Sequence, residues 1–139
     1  MSGREIAALY FAVALGSIVG ALSRFFASEI FAALVGSGFP WGTLFCNATG
    51  SFLIGLYAAV TNPHGCLEAS PFQRNFVMTG LCGGYTTFSS FSLETLHLFQ
   101  AGNIGAAGIN VALSLAVWLI AVAFGFVLGG QINRWVLAR

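Results

Sequence analysis

The sequence predicts an all-α membrane protein with four transmembrane helices in each subunit. Of its 139 residues, 58% are hydrophobic and only 6% are charged, and the mean hydropathy is +0.88. Soluble domains carry about a quarter of their residues as charged side chains, so this chain cannot present such a surface to water. Its apolar residues also form four long stretches, each long enough to cross a bilayer as a helix.

Short segments rich in turn-forming residues separate the four predicted helices. A helix needs about 20 apolar residues to cross about 30 Å of hydrocarbon. Between the apolar stretches lie "GSGFP", "TNPHG" and "QAGNIG", whose glycine, proline and asparagine residues favour turns. We therefore predict one domain over residues 1–139, with helices at about 5–27, 41–60, 72–100 and 104–129, the third of them broken near 83–86.

The first predicted helix begins after Arg4 and contains an apolar run at residues 6–22. This run is longer than the core of a usual secretory signal, so we predict a helix of the mature protein. Within it Ala12, Gly16 and Gly20 are spaced four residues apart, and small residues at this spacing let two helices approach closely. The stripe predicts a tight contact, either within the subunit or with a second subunit.

The second predicted helix carries a line of polar side chains. Thr43, Asn47 and Ser51 recur every four residues and share one helix face, which Gly55 continues. Polar groups are costly in hydrocarbon. A single hydroxyl residue usually bonds to its own helix, and an asparagine can join two helices. An aligned stripe instead favours a route for an ion or a solute.

The third predicted helix contains a glycine pair followed by hydroxyl residues, in "TGLCGGYTTFSSFS". Glycine is about 1 kcal/mol less favourable than alanine in a helix interior, and the stretch 72–100 is long for one straight crossing. We therefore predict a break near residues 83–86, where the glycine pair is followed by Tyr85 and Thr86. Backbone freed at membrane depth must be buried in protein or line water, and its carbonyl groups suit a cation.

Further side chains repeat at helical spacing on the third and fourth predicted helices. They are Thr87, Ser90 and Glu94, the adjoining Phe88 and Phe91, and Asn110 and Ser114 on the fourth helix. Hydroxyl and carboxamide groups can donate to an anion or turn an oxygen towards a cation. The electropositive edges of phenyl rings slightly favour a small anion.

Three motifs carry a family resemblance: "GLCGGYTTFSSFSLE" at 80–94, "WGTLFCNATGSFLIG" at 41–55 and "GALSR" at 20–24. Through them the chain resembles the Fluc (CrcB) family of fluoride channels over nearly its whole length. The resemblance implies an antiparallel, dual-topology dimer in the cell (inner) membrane, whose two pores release fluoride passively and limit its toxicity. It also implies a central structural sodium ion. No nucleotide-binding loop or catalytic constellation is visible, and we predict no enzyme activity.

The resemblance also implies roles for individual residues, carried over by position. Sodium would be coordinated by the backbone carbonyls of Gly83 and Thr86. Fluoride would meet the ring edges of Phe88 and Phe91 and a hydrogen bond from Asn47. Further residues match the polar pathway or the first-helix arginine of the family: Thr43, Ser90, Glu94, Asn110, Ser114 and Arg24. The family often has tyrosine and a second hydroxyl residue on the fourth helix. Here Asn110 keeps a donor, whereas Trp118 offers only an indole N–H.

The arginine residues bear on the orientation of the subunits. Four of the five fall on one side of the predicted helices, and Arg24 lies near the other end of the first helix. This bias favours a cytoplasmic location for both termini. An antiparallel homodimer needs insertion in both directions, so the partner is either a second copy of the chain or a paired homologous subunit.

Two other functional classes stay open at the level of sequence. A proton-coupled exporter of cationic drugs could use Glu94 as its proton carrier. Such an exporter would be expected to keep an acid deep in the first helix, where this chain has only Glu5 at the edge. A purely structural membrane protein would tolerate Asn47→Leu with little change in any flux.

Overall fold

The structure, a computed structural model, describes residues 2–139. Helices account for most of this part of the chain: α1 (Gly3–Val35), α2 (Trp41–Val60), α3 (Pro71–Arg74), a π-helix (Asn75–Cys82), α4 (Gly83–Tyr85), α5 (Phe88–Gln100) and α6 (Ile104–Leu137). No strand occurs within residues 2–139, so the all-α prediction is confirmed. The α3, π-helical and α4 segments follow one another without a gap, and we call them together the 71–85 helix.

Within residues 2–139, three helices, α1, α2 and α6, are long and apolar enough to cross a membrane. With 33 and 34 residues, α1 and α6 are each about 50 Å long at 1.5 Å per residue. They exceed the hydrocarbon thickness of about 30 Å, so they must tilt or extend into the interface. Large apolar side chains such as Phe11, Phe25 and Phe124 are exposed, as suits a surface that faces lipid.

The two longest helices extend beyond their predicted ends. The sequence prediction ends the first helix at residue 27 and the fourth at residue 129, whereas the structure continues them to Val35 and Leu137. Hydropathy marks where hydrocarbon ends, but a helix continues until a residue interrupts it. For α1 that residue is Gly36, which has φ of +85°, a backbone conformation that glycine adopts readily.

The small-residue stripe of α1 packs against the 71–85 helix of the same chain. Ala12, Gly16 and Gly20 are all buried. A Cβ atom added at Gly16 would lie 2.9 Å from the Cα of Gly80, and one added at Gly84 would lie 2.8 Å from the Cα of Ser17. Each helix therefore needs small residues where it meets the other, and the stripe serves a contact within the chain.

A second close helix pair is formed by α2 and α6, which pack along much of their lengths. A Cβ atom added at Gly125 would lie 3.0 Å from the backbone nitrogen of Leu56. One added at Gly129 would lie 2.9 Å from the carbonyl oxygen of the same leucine. The α5 helix also packs against α6. These contacts place the polar faces of α2, α5 and α6 near one another.

Asn133 on α6 fixes the loop that follows α2. Its side-chain amide donates to the carbonyl of Ala59 at 2.8 Å, and its side-chain oxygen accepts from the backbone N–H of Cys66 at 2.9 Å. Arg74 adds a hydrogen bond to the carbonyl of Thr61 from the other side of the loop. This buried asparagine thus joins two helices and a loop at the end of α2.

Candidate ion pathway at the helix break

The helical path breaks at Thr86 and Thr87, at the end of the predicted region near 83–86. Both threonines are extended, with φ and ψ of −87° and 159° at Thr86 and of −154° and 126° at Thr87. Gly83 and Gly84 remain helical. The break thus includes Thr86, at the end of the predicted region, and Thr87 after it. The glycine pair itself does not interrupt the helix, because Gly84 packs closely against Ser17 while the β-branched threonines adopt the extended conformation.

Asn47 holds the broken backbone through two hydrogen bonds to Thr87. Its side-chain oxygen accepts from the Thr87 N–H at 2.6 Å, and its side-chain amide donates to the Thr87 carbonyl at 2.8 Å. Asn47 is only 4% exposed. Because unpaired backbone groups are costly away from water, the carboxamide supplies the partners that Thr87 lacks outside a helix. We call this arrangement the Asn47 clamp.

The break removes the helical donors of two carbonyl groups. In a continuous helix the Thr87 N–H would bond to the Gly83 carbonyl, and the Ser90 N–H would bond to the Thr86 carbonyl. Instead, the Thr87 N–H is taken by Asn47, and the Ser90 N–H donates to the Thr87 hydroxyl at 3.1 Å. The carbonyl oxygens of Gly83 and Thr86 are therefore without their helical donors, and both residues line a cavity of about 260 Å³.

These two carbonyls meet the chemical requirement for a hard cation such as sodium. Hard cations take oxygen ligands, including backbone carbonyls, and Ca²⁺ and Mg²⁺ commonly take about six or more. One chain supplies two such oxygens, from Gly83 and Thr86, at the break. The donor set therefore fits a sodium ion in type, while the number of ligands needs a contribution from elsewhere.

Arg24 reaches the break from α1. Its Nε donates to the carbonyl of Gly84 at 3.3 Å. The sequence interpretation places Arg24 near the end of the first helix, but α1 continues to Val35, so this arginine lies within the helix. Its contact adds a third element, after α2 and α5, to those that hold the broken segment.

Thr43 and Glu94 lie together on facing helices. The Thr43 hydroxyl donates to one oxygen of the Glu94 carboxyl group at 2.7 Å. The other oxygen, Oε2, is buried and has no hydrogen-bond partner within residues 2–139. Both residues line a cleft of about 480 Å³ beside the loops that follow α1 and α5, together with Glu29 and His97. The Thr43–Glu94 pair therefore forms part of the wall of this cleft.

Asn110 and Ser114 form a separate buried group between α5 and α6, and each is 1% exposed. The Asn110 amide donates to the Thr95 hydroxyl at 2.9 Å, and the Ser114 hydroxyl donates to the Asn110 side-chain oxygen at 3.3 Å. Thr95 in turn donates to the carbonyl of Phe91 at 2.7 Å. Sequence reasoning missed Thr95, although its position one helical turn after Phe91 could have indicated it.

The two phenylalanines after the break differ in their surroundings. Phe91 is 6% exposed, whereas Phe88 is 68% exposed, and their ring centroids lie 5.4 Å apart. Phe91 also packs nearly perpendicular to the Trp118 ring, at 5.0 Å between centroids and an interplanar angle of 75°. Phe88 and Trp118 line the 260 Å³ cavity together with Asn47 and Thr87. The aromatic side chains thus lie beside the Asn47 clamp.

The fold and this site define a class of protein. Long apolar helices suited to lipid pack against a broken helix, and hydroxyl and carboxamide groups are buried near the break. Such polar groups at membrane depth are typical of proteins that pass ions or solutes. The chain is a multi-pass helical membrane protein of this kind.

The chain belongs to the CrcB family. A sequence profile of the family, described as "CrcB-like protein, Camphor Resistance (CrcB)", matches residues 11–126. The family resemblance predicted from the three motifs is thereby confirmed.

Individual relatives match over nearly the whole chain. It is 51% identical over 131 residues to the "Fluoride-specific ion channel FluC 1" of Rhodopseudomonas palustris (strain BisB18), a match that spans 94% of this chain and 93% of that protein. It is 47% identical over 125 residues to the "Fluoride-specific ion channel FluC" of Opitutus terrae (strain DSM 11246 / JCM 15787 / PB90-1), spanning 90% of this chain and 95% of that protein. The names of these relatives describe channels.

Proposed function

We propose that this chain is a subunit of a fluoride-selective channel that releases fluoride passively from the cytoplasm across the cell (inner) membrane and so limits fluoride toxicity. The names of relatives that share about half of its sequence support the choice of ion. The structural observation that carries the proposal is the helix break, because its polar groups and phenyl rings lie together inside an apolar chain. A channel of this kind has no enzyme activity.

The side chains at the break have hydrogen-bonding capacity left for an anion. A carboxamide nitrogen carries two hydrogens, and Asn47 uses one of them on the Thr87 carbonyl. The Ser90 hydroxyl accepts from the Thr87 hydroxyl at 3.2 Å, which leaves its own hydrogen to donate. Phe88 and Phe91 can add the electropositive edges of their rings. Asn47, Ser90 and the two rings together suit a small anion that has shed its water.

In the proposal, two further groups of polar residues belong to the ion route. They are Thr43 and Glu94 at the cleft, and Asn110 and Ser114 between α5 and α6. In the proposal, the cleft is a mouth of the pathway, and the Thr43 hydroxyl orients the Glu94 carboxyl group. The Asn110 and Ser114 side chains bond to each other, so they serve the pathway when one of them exchanges this bond for the ion.

The proposed assembly is an antiparallel dual-topology dimer with two pores, in which the 71–85 helix and α5 form a broken third span of four. The partner is a second copy of the chain or a paired homologous subunit. A two-fold axis near the break would bring a second pair of Gly83 and Thr86 carbonyls to the first. A sodium ion held by these four oxygens would supply a positive charge that favours an anion nearby.

The function is tested by fluoride release from liposomes loaded with potassium fluoride, with valinomycin present to carry the compensating potassium. A fluoride electrode records the release, and a matched chloride experiment measures selectivity. The proposal predicts rapid release of fluoride and none of chloride, in the absence of any proton gradient. Assembled protein that releases fluoride only when a proton gradient is imposed would instead indicate an exporter.

The orientation is tested with single cysteines in a variant from which the three native cysteines have been removed. Ser37→Cys and His64→Cys place thiols at exposed positions in the two loops that flank α2. An impermeant maleimide added outside cells should label about half of each variant if subunits insert both ways, an expectation set by the symmetry of the dimer. Labelling of only one of the two variants would indicate a single orientation and a paired homologous partner.

A further inference from the structure

The indole N–H of Trp118 is buried and has no hydrogen-bond partner within residues 2–139. Only the Oε2 atom of Glu94 shares this condition among the described side chains. Buried polar side-chain groups nearly always have a partner in folded proteins. An indole nitrogen donates and cannot accept, so the group that satisfies Trp118 must be an acceptor.

Trp118 lies on the polar line of α6, beside the aromatic pair. It follows Asn110 and Ser114 at a spacing of four residues, which places the three on one helix face. Its ring packs nearly perpendicular to Phe91, with 5.0 Å between the centroids. The same side chain lines the cavity that includes Asn47. The unpaired donor therefore lies within the group of residues assigned to the ion pathway.

None of the polar groups that line this cavity, the carbonyls of Gly83 and Thr86 included, makes a hydrogen bond to the indole nitrogen. The side-chain oxygen of Asn47 accepts from the Thr87 N–H, and the Thr87 carbonyl accepts from the Asn47 amide. An acceptor that passes along the pathway would satisfy the indole N–H, and the experiments below distinguish it from a resident water.

We propose that the Trp118 indole N–H donates a hydrogen bond to the transported anion as it passes Phe91. This inference rests on the proposed function and adds a donor that belongs to this chain, at a position where the resemblance leads one to expect a hydroxyl residue. Fluoride is a small, strong hydrogen-bond acceptor. An N–H group that has no other acceptor can donate to it without first breaking another hydrogen bond. Because the indole N–H donates and cannot accept, this group favours an anion over a cation.

The most direct test observes the indole N–H itself by NMR. The chain has three tryptophans, and Trp118→Phe assigns the resonance of interest in ¹⁵N-labelled protein in nanodiscs. Titration with sodium fluoride should move the Trp118 indole proton downfield, whereas sodium chloride at the same ionic strength should leave it in place. The Trp135 resonance, from a ring 61% exposed near the end of α6, is the control and should not move.

Fluoride release from liposomes gives the second readout. Trp118→Phe should slow release about tenfold, as expected for loss of one hydrogen bond to a charged group, while Trp135→Phe should release fluoride at the wild-type rate. Replacement of Trp118 by 3-benzothienylalanine keeps the ring size and lacks the N–H, so it separates the hydrogen bond from packing. It should be slowed to the same extent.

The outcomes separate this inference from the function on which it rests. If the wild-type protein releases no fluoride, the proposed function fails. If the wild-type protein conducts, but the Trp118 resonance ignores fluoride and the benzothienyl variant conducts normally, only the inference fails. An indole proton already far downfield without fluoride would show that a second subunit or a water is its partner, and would also overturn the inference.

Discussion

Replacement of Asn47 by leucine tests the clamp at the helix break. Leucine has a similar size and keeps the helix, but it removes both hydrogen bonds to Thr87, which measure 2.6 and 2.8 Å. The N–H and carbonyl groups of Thr87 would then be buried without partners in an extended segment. The variant should lose stability and should also lose its donor to fluoride.

The size of both effects follows from the two bonds. Measured side-chain hydrogen bonds in membranes average about 0.6 kcal/mol and reach about 1.7, and an orphaned buried group costs about 1–3 kcal/mol. We therefore expect a loss of about 1–3 kcal/mol in the free energy of unfolding. Loss of one hydrogen bond to a charged ion should slow fluoride release by about tenfold or more.

Asn133→Leu is the matched control. Asn133 is also buried, at 8% exposure against 4% for Asn47, and it also bonds one backbone N–H and one backbone carbonyl, at 2.9 and 2.8 Å. It does so at the end of α2, away from the break. Unfolding in SDS mixtures, followed by far-UV circular dichroism, should show similar destabilisation of the two variants, whereas only Asn47→Leu should slow fluoride release per assembled protein.

Two results would refute this reasoning. Normal fluoride release by a stably assembled Asn47→Leu variant would remove Asn47 from the pathway. Equal slowing by Asn47→Leu and Asn133→Leu would mean that release reports on general stability instead of on the break. Asn47→Asp adds a check, because its carboxylate can accept from the Thr87 N–H but cannot donate to the Thr87 carbonyl or to fluoride.

Three further predictions follow from contacts elsewhere. Gly16→Ala should lower the free energy of unfolding by about 1–3 kcal/mol, because its Cβ would lie 2.8 Å from a backbone atom of the 71–85 helix. Gly130→Ala is the control in the same SDS assay and should not lower it, because its Cβ would have no neighbouring atom within 4 Å. Thr43→Val removes the 2.7 Å bond to Glu94 and should slow fluoride release several-fold with normal assembly; an unchanged rate would exclude this pair from the pathway. Exchange of sodium for N-methylglucamine should lower the thermal unfolding midpoint of the wild type. Gly83→Ala should show the same dependence, because it keeps the backbone carbonyl and its Cβ would meet only one atom, at 3.9 Å. An unchanged midpoint in the wild type would argue against a sodium site.

The sequence predicts the class of fold because composition and hydropathy report directly on the surrounding solvent. The bounds of α2, Trp41–Val60, match the predicted span. The ends of α1 and α6 differ, because a polar or charged residue such as Glu29 or Gln131 does not by itself end a helix. Likewise the glycine pair indicated a break, but local propensity could not reveal that Gly84 serves packing and that Thr86 and Thr87 become extended.

The candidate site was predictable only in part. Helical spacing correctly puts Asn110 and Ser114 in contact, since that relation lies within one helix. The Thr43–Glu94 bond joins residues 51 apart in sequence, and the Asn47 clamp joins residues 40 apart. Such pairs depend on how helices rotate and pack, which periodicity does not determine. For the same reason the bond between Thr95 and Asn110 was missed.

The most direct test of the central claim, passive and selective fluoride conduction, is the reversal potential of the purified protein in a planar bilayer. A tenfold gradient of potassium fluoride is imposed with equal chloride on both sides. A fluoride-selective channel predicts a reversal potential of about 59 mV with the sign set by the anion, the value for a tenfold gradient of a univalent ion. A value near zero, or one of opposite sign set by potassium, would contradict the account.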